Sequence, residues 1–347
     1  MAIKPLPPEV IALISRYQQA QIDLINIIAT KAARGNVTKY RKDLLRSVNQ
    51  ELAILNKYAE GWALENIPAA YKTGAVSAYA AFRASKVAIK EVAINVKVVD
   101  ILVKNTTGML TDAADFIGRV IADDIRKASI EAVAEKVTTG ATVKQAKANL
   151  IAKLTDKGVL TIKDKTGRAI KLDAYASMVA RTTTREATNK GVIQIVQEAG
   201  HDLVQMSQHF TACPICSKYE GRVYSISGNS GIYPPLDAAF SGGYAIIHPS
   251  CRHSLGPYVP QLDDNAAKMI AESNRPFETD PRDKKSIEVY NNQQKVKAKR
   301  RNDRNEWEQA KIAAPKETPK TFSAFRSMKK ADSEKYQKIK EVVKENI

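Results

Sequence analysis

Apolar positions along the first third of the chain recur at steps of three and four. From Pro8 to about Gly35 they are Val10, Leu13, Ile14, Tyr17, Leu24, Ile25 and Ile28, a helical period. Pro7-Pro8 marks the start and Gly35-Asn36 a stop. A second helix is predicted from Thr38, a candidate N-cap, through Leu44, Leu45, Val48, Leu52 and Leu55. Further helical stretches are predicted at about 62–90, 109–137 and 142–154, with Ala-rich runs such as 79–84 adding propensity. Stripes of this kind form the core of a helical bundle or dock a partner protein, and the pattern alone does not separate the two.

Between Gly158 and Leu172 the period falls to two. Residues 159–163 and 168–172 alternate around Asp164-Lys165-Thr166-Gly167, which predicts a β-hairpin with a four-residue turn. Asp173 then caps a predicted helix from Ala174 to about Ala199, closed by Gly200. Asp202–Ser207 alternates as a strand leading into a region rich in cysteine and histidine. After Pro260 the composition turns to Lys, Asn, Gln and Glu, with Pro315 and Pro319 bracketing a linker. This last segment reads as partly helical and weakly packed. The fold class is therefore α+β, mainly α: an N-terminal helical domain over 1–157, a hairpin, long helix and small β-rich Cys/His module over 158–260, and a basic, partly helical tail over 261–347. No internal repeat is visible.

Charge sharpens this division. The chain has 347 residues and a formal net charge of +17. Residues 1–200 hold 30 basic and 19 acidic side chains, residues 201–280 hold 5 and 8, and residues 281–347 hold 19 and 10. The middle segment is thus an acidic unit between basic flanks. With 44% hydrophobic and 26% charged residues, the composition excludes a wholly disordered chain. Three cysteines cannot all pair within the chain, which argues against a disulfide-framework secreted protein. The N-terminal segment lacks the unbroken apolar stretch of a signal peptide or spanning helix, so a soluble, intracellularly made protein is expected.

All three cysteines and all four histidines lie between His201 and His253. Cys213-Pro214-Ile215-Cys216 has the spacing at which one tight turn presents two thiolates to a tetrahedral ion. His248-Pro249-Ser250-Cys251 supplies a second pair some thirty residues on. Thiolate and imidazole donors favour zinc. The preferred ligands of a structural Zn2+ ion are Cys213, Cys216, His248 and Cys251, with His253 and His209 in reserve as replacement or outer ligands. A thioredoxin-like redox pair at Cys213 and Cys216 lacks a surrounding βαβ pattern; a metal-free set of core residues is the other alternative. Four protein ligands leave no position for an activated water. Glu220 is the nearest carboxylate to Cys216, but no His-Glu-x-x-His or His-x-Glu signature is present. Gly221 is expected in a left-handed conformation ahead of a strand, and Arg222 and Arg252 either offset the thiolate charge or are solvated.

No Gly-x-Ser-x-Gly elbow, Walker loop or dinucleotide fingerprint appears, and no catalytic residue is assigned. Arg181, Thr182 and Glu186 interrupt the apolar stripe of the long helix. They are either an exposed face or, with Arg252, a structural polar network tying the helix to the cysteine module. In the tail, Lys295, Lys297, Lys299, Arg300 and Arg301 form the densest basic run, a candidate DNA contact through non-specific backbone neutralisation.

The stretch 173–183, followed by His201-Asp202-Leu203-Val204, His209, the Cys213–Cys216 pair, 221–225 and His248-Pro249-Ser250-Cys251-Arg252-His253, resembles phage minor capsid proteins of the type called minor capsid protein 2. Head-morphogenesis proteins of the Mu F type are similar across the Arg-Thr, Cys-x-x-Cys, Gly and His-Pro-x-Cys-Arg elements. They often end in Cys-Arg-Cys, whereas this chain has Cys251-Arg252-His253. The resemblance implies a non-enzymatic virion component, in the capsid interior or at the portal vertex and in the host cytoplasm during assembly. Its implied partners are the portal protein, other capsid proteins and double-stranded DNA, and its role is in head assembly or in genome packaging and ejection. The alternative from the residues is a zinc-dependent nuclease or toxin delivered with the genome, using His209, His253 or Glu220.

Overall fold

The structure, a computed structural model, describes residues 6–31, 37–90, 92–139, 161–163, 167, 169–240, 243–314 and 316–346, with backbone alone at 28–31, 37–41, 128–139, 163, 312–313 and 345–346. Three helices come first: α1 (Pro8–Lys31), α2 (Val37–Ala84) and α3 (Val96–Thr139). The hairpin strands β1 (Thr161–Lys163) and β2 (Ala169–Lys171) precede α4 (Leu172–Glu198). Strands β3 (Leu203–Met206), β4 (Val223–Ser225) and β5 (Leu255–Pro257) follow. Four helices complete the chain: α5 (Ala266–Ser273), α6 (Lys284–Ala313), α7 (Phe322–Lys330) and α8 (Glu334–Asn346). The fold is mainly helical with a small β-rich Cys/His module, as the pattern predicts. No helix among the described residues is long and apolar enough to cross a membrane.

The two helices expected over 38–55 and 62–90 are one. Leu44, Val48, Leu52, Leu55, Ala59, Trp62, Ala63, Ile67, Tyr71, Ala75, Ala78 and Phe82 are all buried, so the stripe runs on without a break. Gly61 lies on the open side of that stripe and does not end the helix. Likewise α3 begins well before residue 109. The polar run Asn105-Thr106-Thr107 is part of it: Thr106 is buried and donates its hydroxyl to Leu102 O at 2.7 Å within the helix. The helix expected at 142–154 and most of the hairpin turn lie outside the described residues. The two strands pair antiparallel as predicted, Ile162 opposite Ile170.

The chain divides into two compact units. One holds residues up to Leu13, Ala59–Leu110 and Ser177–Gln293; the other holds Ile14–Tyr58, Thr111–Ala176 and the chain from Gln294 onward. In the first unit the core joins Ala75, Ala78 and Phe82 of α2, Val192, Ile195 and Val196 of α4, and Val204, Met206, Tyr224 and Leu255 of the sheet. The sheet order is β4-β3-β5, antiparallel throughout. Helices α2 and α4 touch backbone to backbone: a Cβ added at Gly74 would stand 1.9 Å from Thr188 O, and one at Gly191 2.2 Å from Tyr71 O. From Tyr175 to Val196 no residue of α4 is exposed. The helix ends in a left-handed Gly200 (φ +75°), with His201 N–H donating to Val196 O and Gly200 N–H to Gln197 O, both at 3.0 Å.

In the second unit α6, α7 and α8 enclose an apolar core of Trp307, Ala310, Phe325, Tyr336 and Ile339. The segment read from composition as weakly packed is therefore well packed there. Its few large apolar residues are concentrated on three facing stripes, and Asp303 binds Lys329 at 2.9 Å and Arg326 at 3.2 Å.

Candidate metal centre

The register of the sheet brings the two halves of the cysteine region together. Met206, the last residue of β3, pairs with Leu255, the first of β5. Just beyond that pair, Ser207 N–H donates to Ser254 O at 2.9 Å and Ser254 N–H to Ser207 Oγ at 3.0 Å. The loop after β3 and the loop before β5 must therefore leave the sheet side by side. The first carries Cys213 and Cys216, the second His248, Cys251 and His253.

Each loop is a tight turn. Cys216 N–H points at Cys213 Sγ, 3.3 Å away, and Ser217 N–H closes on Cys213 O at 3.0 Å. Across from it, Cys251 N–H donates to His248 O at 3.0 Å, and Ser250 takes a left-handed φ of +64°. Gly221 (φ +77°) adopts the left-handed position expected of it before β4. Helix α4 holds the second loop in place. Thr182 Oγ1 accepts from Ser250 N–H at 2.8 Å, and Arg181 donates to Ser250 O at 3.3 Å. Asn189, fully buried, donates to Ala245 O and His253 O and accepts from Leu255 N–H. Asn189 went unnoticed in the sequence, although it lies on the same helix as the polar run at 181–186.

Cys213 Sγ lies 3.2 Å and Cys216 Sγ 3.0 Å from His248 Nε2, and Cys216 Sγ is 3.8 Å from Cys251 Sγ. The donor atoms of Cys213, Cys216 and His248 fall within 4.8 Å of one another, as do those of Cys216, Cys251 and His253. His248 Nδ1 is 2.8 Å from Pro249 O, which favours a proton there and leaves Nε2 to face the sulfurs. His253 presents Nδ1 to Cys251 Sγ at 3.4 Å and Nε2 to the buried Glu220 carboxylate at 2.9 Å. The same Glu220 oxygen accepts from His209 N–H at 2.8 Å. His209 itself stacks edge-on against His253, with 4.6 Å between ring centroids.

Three sulfurs this close cannot all carry charge without a cation. Hydrogen bonds from Cys216, and then from the histidines, pull Cys213 and Cys251 down to about 3. Cys216 is driven up, because it is the thiol that donates to Cys213 and Cys251. The hydrogen bond with Cys213 raises His248. Burial opposes a charge on His253, but its bonds to Cys251 and Glu220 hold it at about 9. Burial and then the neighbouring His253 lower His209. A soft divalent cation in place of the Cys216 proton would relieve the crowding of negative charge. The donor set thus fits a metal ion.

The remaining polar residues divide. Glu186, buried, pairs with Lys190 at 3.4 Å and takes a backbone hydrogen bond from Ala245. Arg252 turns to Thr211, whose carbonyl and hydroxyl oxygens it meets at 3.4 Å. Arg222 does not face the sulfurs: it is wholly buried and donates to Lys218 O, Ser273 O, Arg275 O and Pro276 O, closing the C-terminal end of α5. The charges that do bear on the thiols are Arg185, toward Cys251, and Arg282, toward Cys213. Nothing in the spacing pointed to Arg282, which Asp280 holds in place at 2.7 Å. Lys295, Lys297, Lys299, Arg300 and Arg301 are exposed along α6.

The model of the family described as phage minor capsid protein 2 matches residues 8–343. No curated protein and no solved structure matches the chain at a significant level. The family match takes in the helical segments, the Cys/His module and the C-terminal helices together, and on that basis the chain belongs to the phage minor capsid protein 2 family, a structural component of the virion.

Proposed function

We propose that this minor capsid protein works at the portal vertex in head assembly and in genome packaging or ejection, and that its Cys/His cluster holds a structural zinc ion. The observation that carries the zinc reading is the convergence of Cys213, Cys216 and Cys251 with His248 Nε2 from two loops. Zinc there would cross-link the two loops, and its binding energy would become folding energy. The helical domain over 1–157 would dock the portal and other capsid proteins. The basic residues of the tail would neutralise DNA phosphates without reading bases.

A non-enzymatic role is supported by the commitments of Glu220. A zinc-dependent nuclease or toxin would need that carboxylate as a general base beside an open ligand position. Here one of its oxygens already serves both His253 and His209, and the residue is buried. Elemental analysis of the purified protein tests the metal assignment. One zinc per chain is expected, reduced in Cys213→Ser and Cys251→Ser; full metal content in both variants would refute the ligand set. DNA cleavage that disappears in His253→Ala while the metal is retained would establish the enzyme instead. Portal capture by the module of 158–260 alone would contradict docking through the helical domain.

A further inference from the structure

The arginines around the cysteine cluster outnumber the charge they have to balance. Three thiolates, one neutral imidazole and a divalent cation would leave a net charge of −1. The charges of Arg185 and Arg282 already act on Cys251 and Cys213. Arg181 and Arg252 are left over. Both are anchored by uncharged oxygens: Arg181 donates from one Nη to Ser250 O, and Arg252, two residues further along that loop, from one Nη to Thr211. The acids on neighbouring segments are engaged elsewhere, Glu186 with Lys190 and Glu220 with His253. Among the described residues neither Arg181 nor Arg252 meets a carboxylate within ion-pair distance. Burial, and then the like charge of Arg252, hold Arg181 below the usual arginine range. A guanidinium offers five N–H donors, so each side chain has several that no described residue accepts. Arg181, reaching from α4 to the carbonyl of Ser250, and Arg252, two residues further on and anchored on Thr211, put two cations on one loop held by Thr182 and Asn189, a preorganised receptor for an anion. Next to Thr211 stands Phe210, 49% exposed, an apolar surface suited to a sugar or a base rather than to a free ion.

We propose that Arg181 and Arg252 together bind a backbone phosphate of nucleic acid, with Phe210 flanking it. This contact is separate from the lysine and arginine run of α6. It rests on the reading of the chain as a DNA-contacting capsid component. The fork of each guanidinium suits phosphate oxygens, and the site would be indifferent to sequence.

The test is fluorescence anisotropy of a labelled 20-base-pair duplex titrated with the full-length protein over a range of salt concentrations. For Arg181→Gln/Arg252→Gln we expect several-fold weaker binding and a log–log salt slope shallower by about 1 to 2, with zinc content unchanged. A second variant replaces Lys295, Lys297, Lys299, Arg300 and Arg301 by Gln. If it weakens binding while the arginine pair variant matches wild type in affinity and slope, the phosphate site is overturned and the tail contact stands. If neither variant differs from wild type, both readings fall. Should the Gln variant lose metal, Arg181→Lys/Arg252→Lys decides: weaker binding at full metal content supports the site, wild-type binding overturns it. Binding of a labelled polyglutamate peptide that Arg181→Gln/Arg252→Gln abolishes, with no binding of the duplex, would also overturn it, by making the arginines a dock for acidic protein.

Discussion

The guanidinium of Arg222 lies 3.9 Å above the ring centroid of Phe277, out of contact with water. The stack occupies one face of a cation whose edge donates to four carbonyls. Three of those carbonyls belong to Ser273, Arg275 and Pro276, at and just beyond the end of α5, where the helix would otherwise leave acceptors unsatisfied. One side chain just ahead of β4 thus fastens that helix to the sheet.

Arg222→Met should therefore destabilise the unit that contains it by about 2–4 kcal/mol, since buried acceptors lose their donors. Arg222→Lys should recover only part of this, because an ammonium lacks the planar fork. Urea unfolding in a Trp307→Phe background, followed by the fluorescence of Trp62, would measure both; unchanged stability in Arg222→Met would remove the role assigned to the residue.

The contact of α2 with α4 predicts opposite outcomes for two glycines in helices. Gly191→Ala places a methyl group against Tyr71 O and should cost about 1–3 kcal/mol. Gly61→Ala meets nothing within 4 Å and should stabilise by about 0.5–1 kcal/mol through helix propensity. Melting temperatures of the two variants against wild type are sufficient to check the signs.

Chelation should loosen one region selectively. With the metal removed, hydrogen exchange should quicken at 213–217 and 248–254, whose turns are held from the cluster, while amides of α7 and α8 keep their protection. Uniform acceleration across the chain, or no change, would contradict a local rivet.

Asp280 gives a pH dependence with a definite sign. Hydrogen bonds from Arg282 hold its carboxyl at about 2, below its ordinary 3.8. Stability from this pair is complete above about pH 4 and disappears as pH falls through about 2. Its carbon-13 carboxyl resonance should titrate near 2, and Arg282→Gln should return the midpoint toward the ordinary value. The side chain is one-third exposed (33%), so the energetic share is small.

The sequence shows its architecture most clearly where a side chain's type and spacing both report its surroundings. The stripe from Leu44 to Phe82, the alternation around Val204 and the convergence of the two Cys/His pairs are of this sort. Polar residues that are satisfied inside the protein mislead instead. Helix α3 begins well before the expected 109 because Thr106, a polar residue, is satisfied by its bond to Leu102 O, and Arg222 looked like a surface or site charge because three of its four acceptors are carbonyls about fifty residues away. Arg282 gave no signal, since its place beside Cys213 depends on how the chain returns after α5. The packed core under Trp307 was hidden because a few well-spaced apolar residues are diluted in a strongly basic composition.

A helix with no fully exposed residue over most of its length has few positions at which mutation is free. In α4, from Tyr175 to Val196, every position is buried or partly buried, so changes on its buried side would need matching changes in the sheet, in α2 or in the loop of Cys251. Across relatives this rod should be the slowest stretch of the chain to drift, outpaced by far by the solvent-bathed middle of α6.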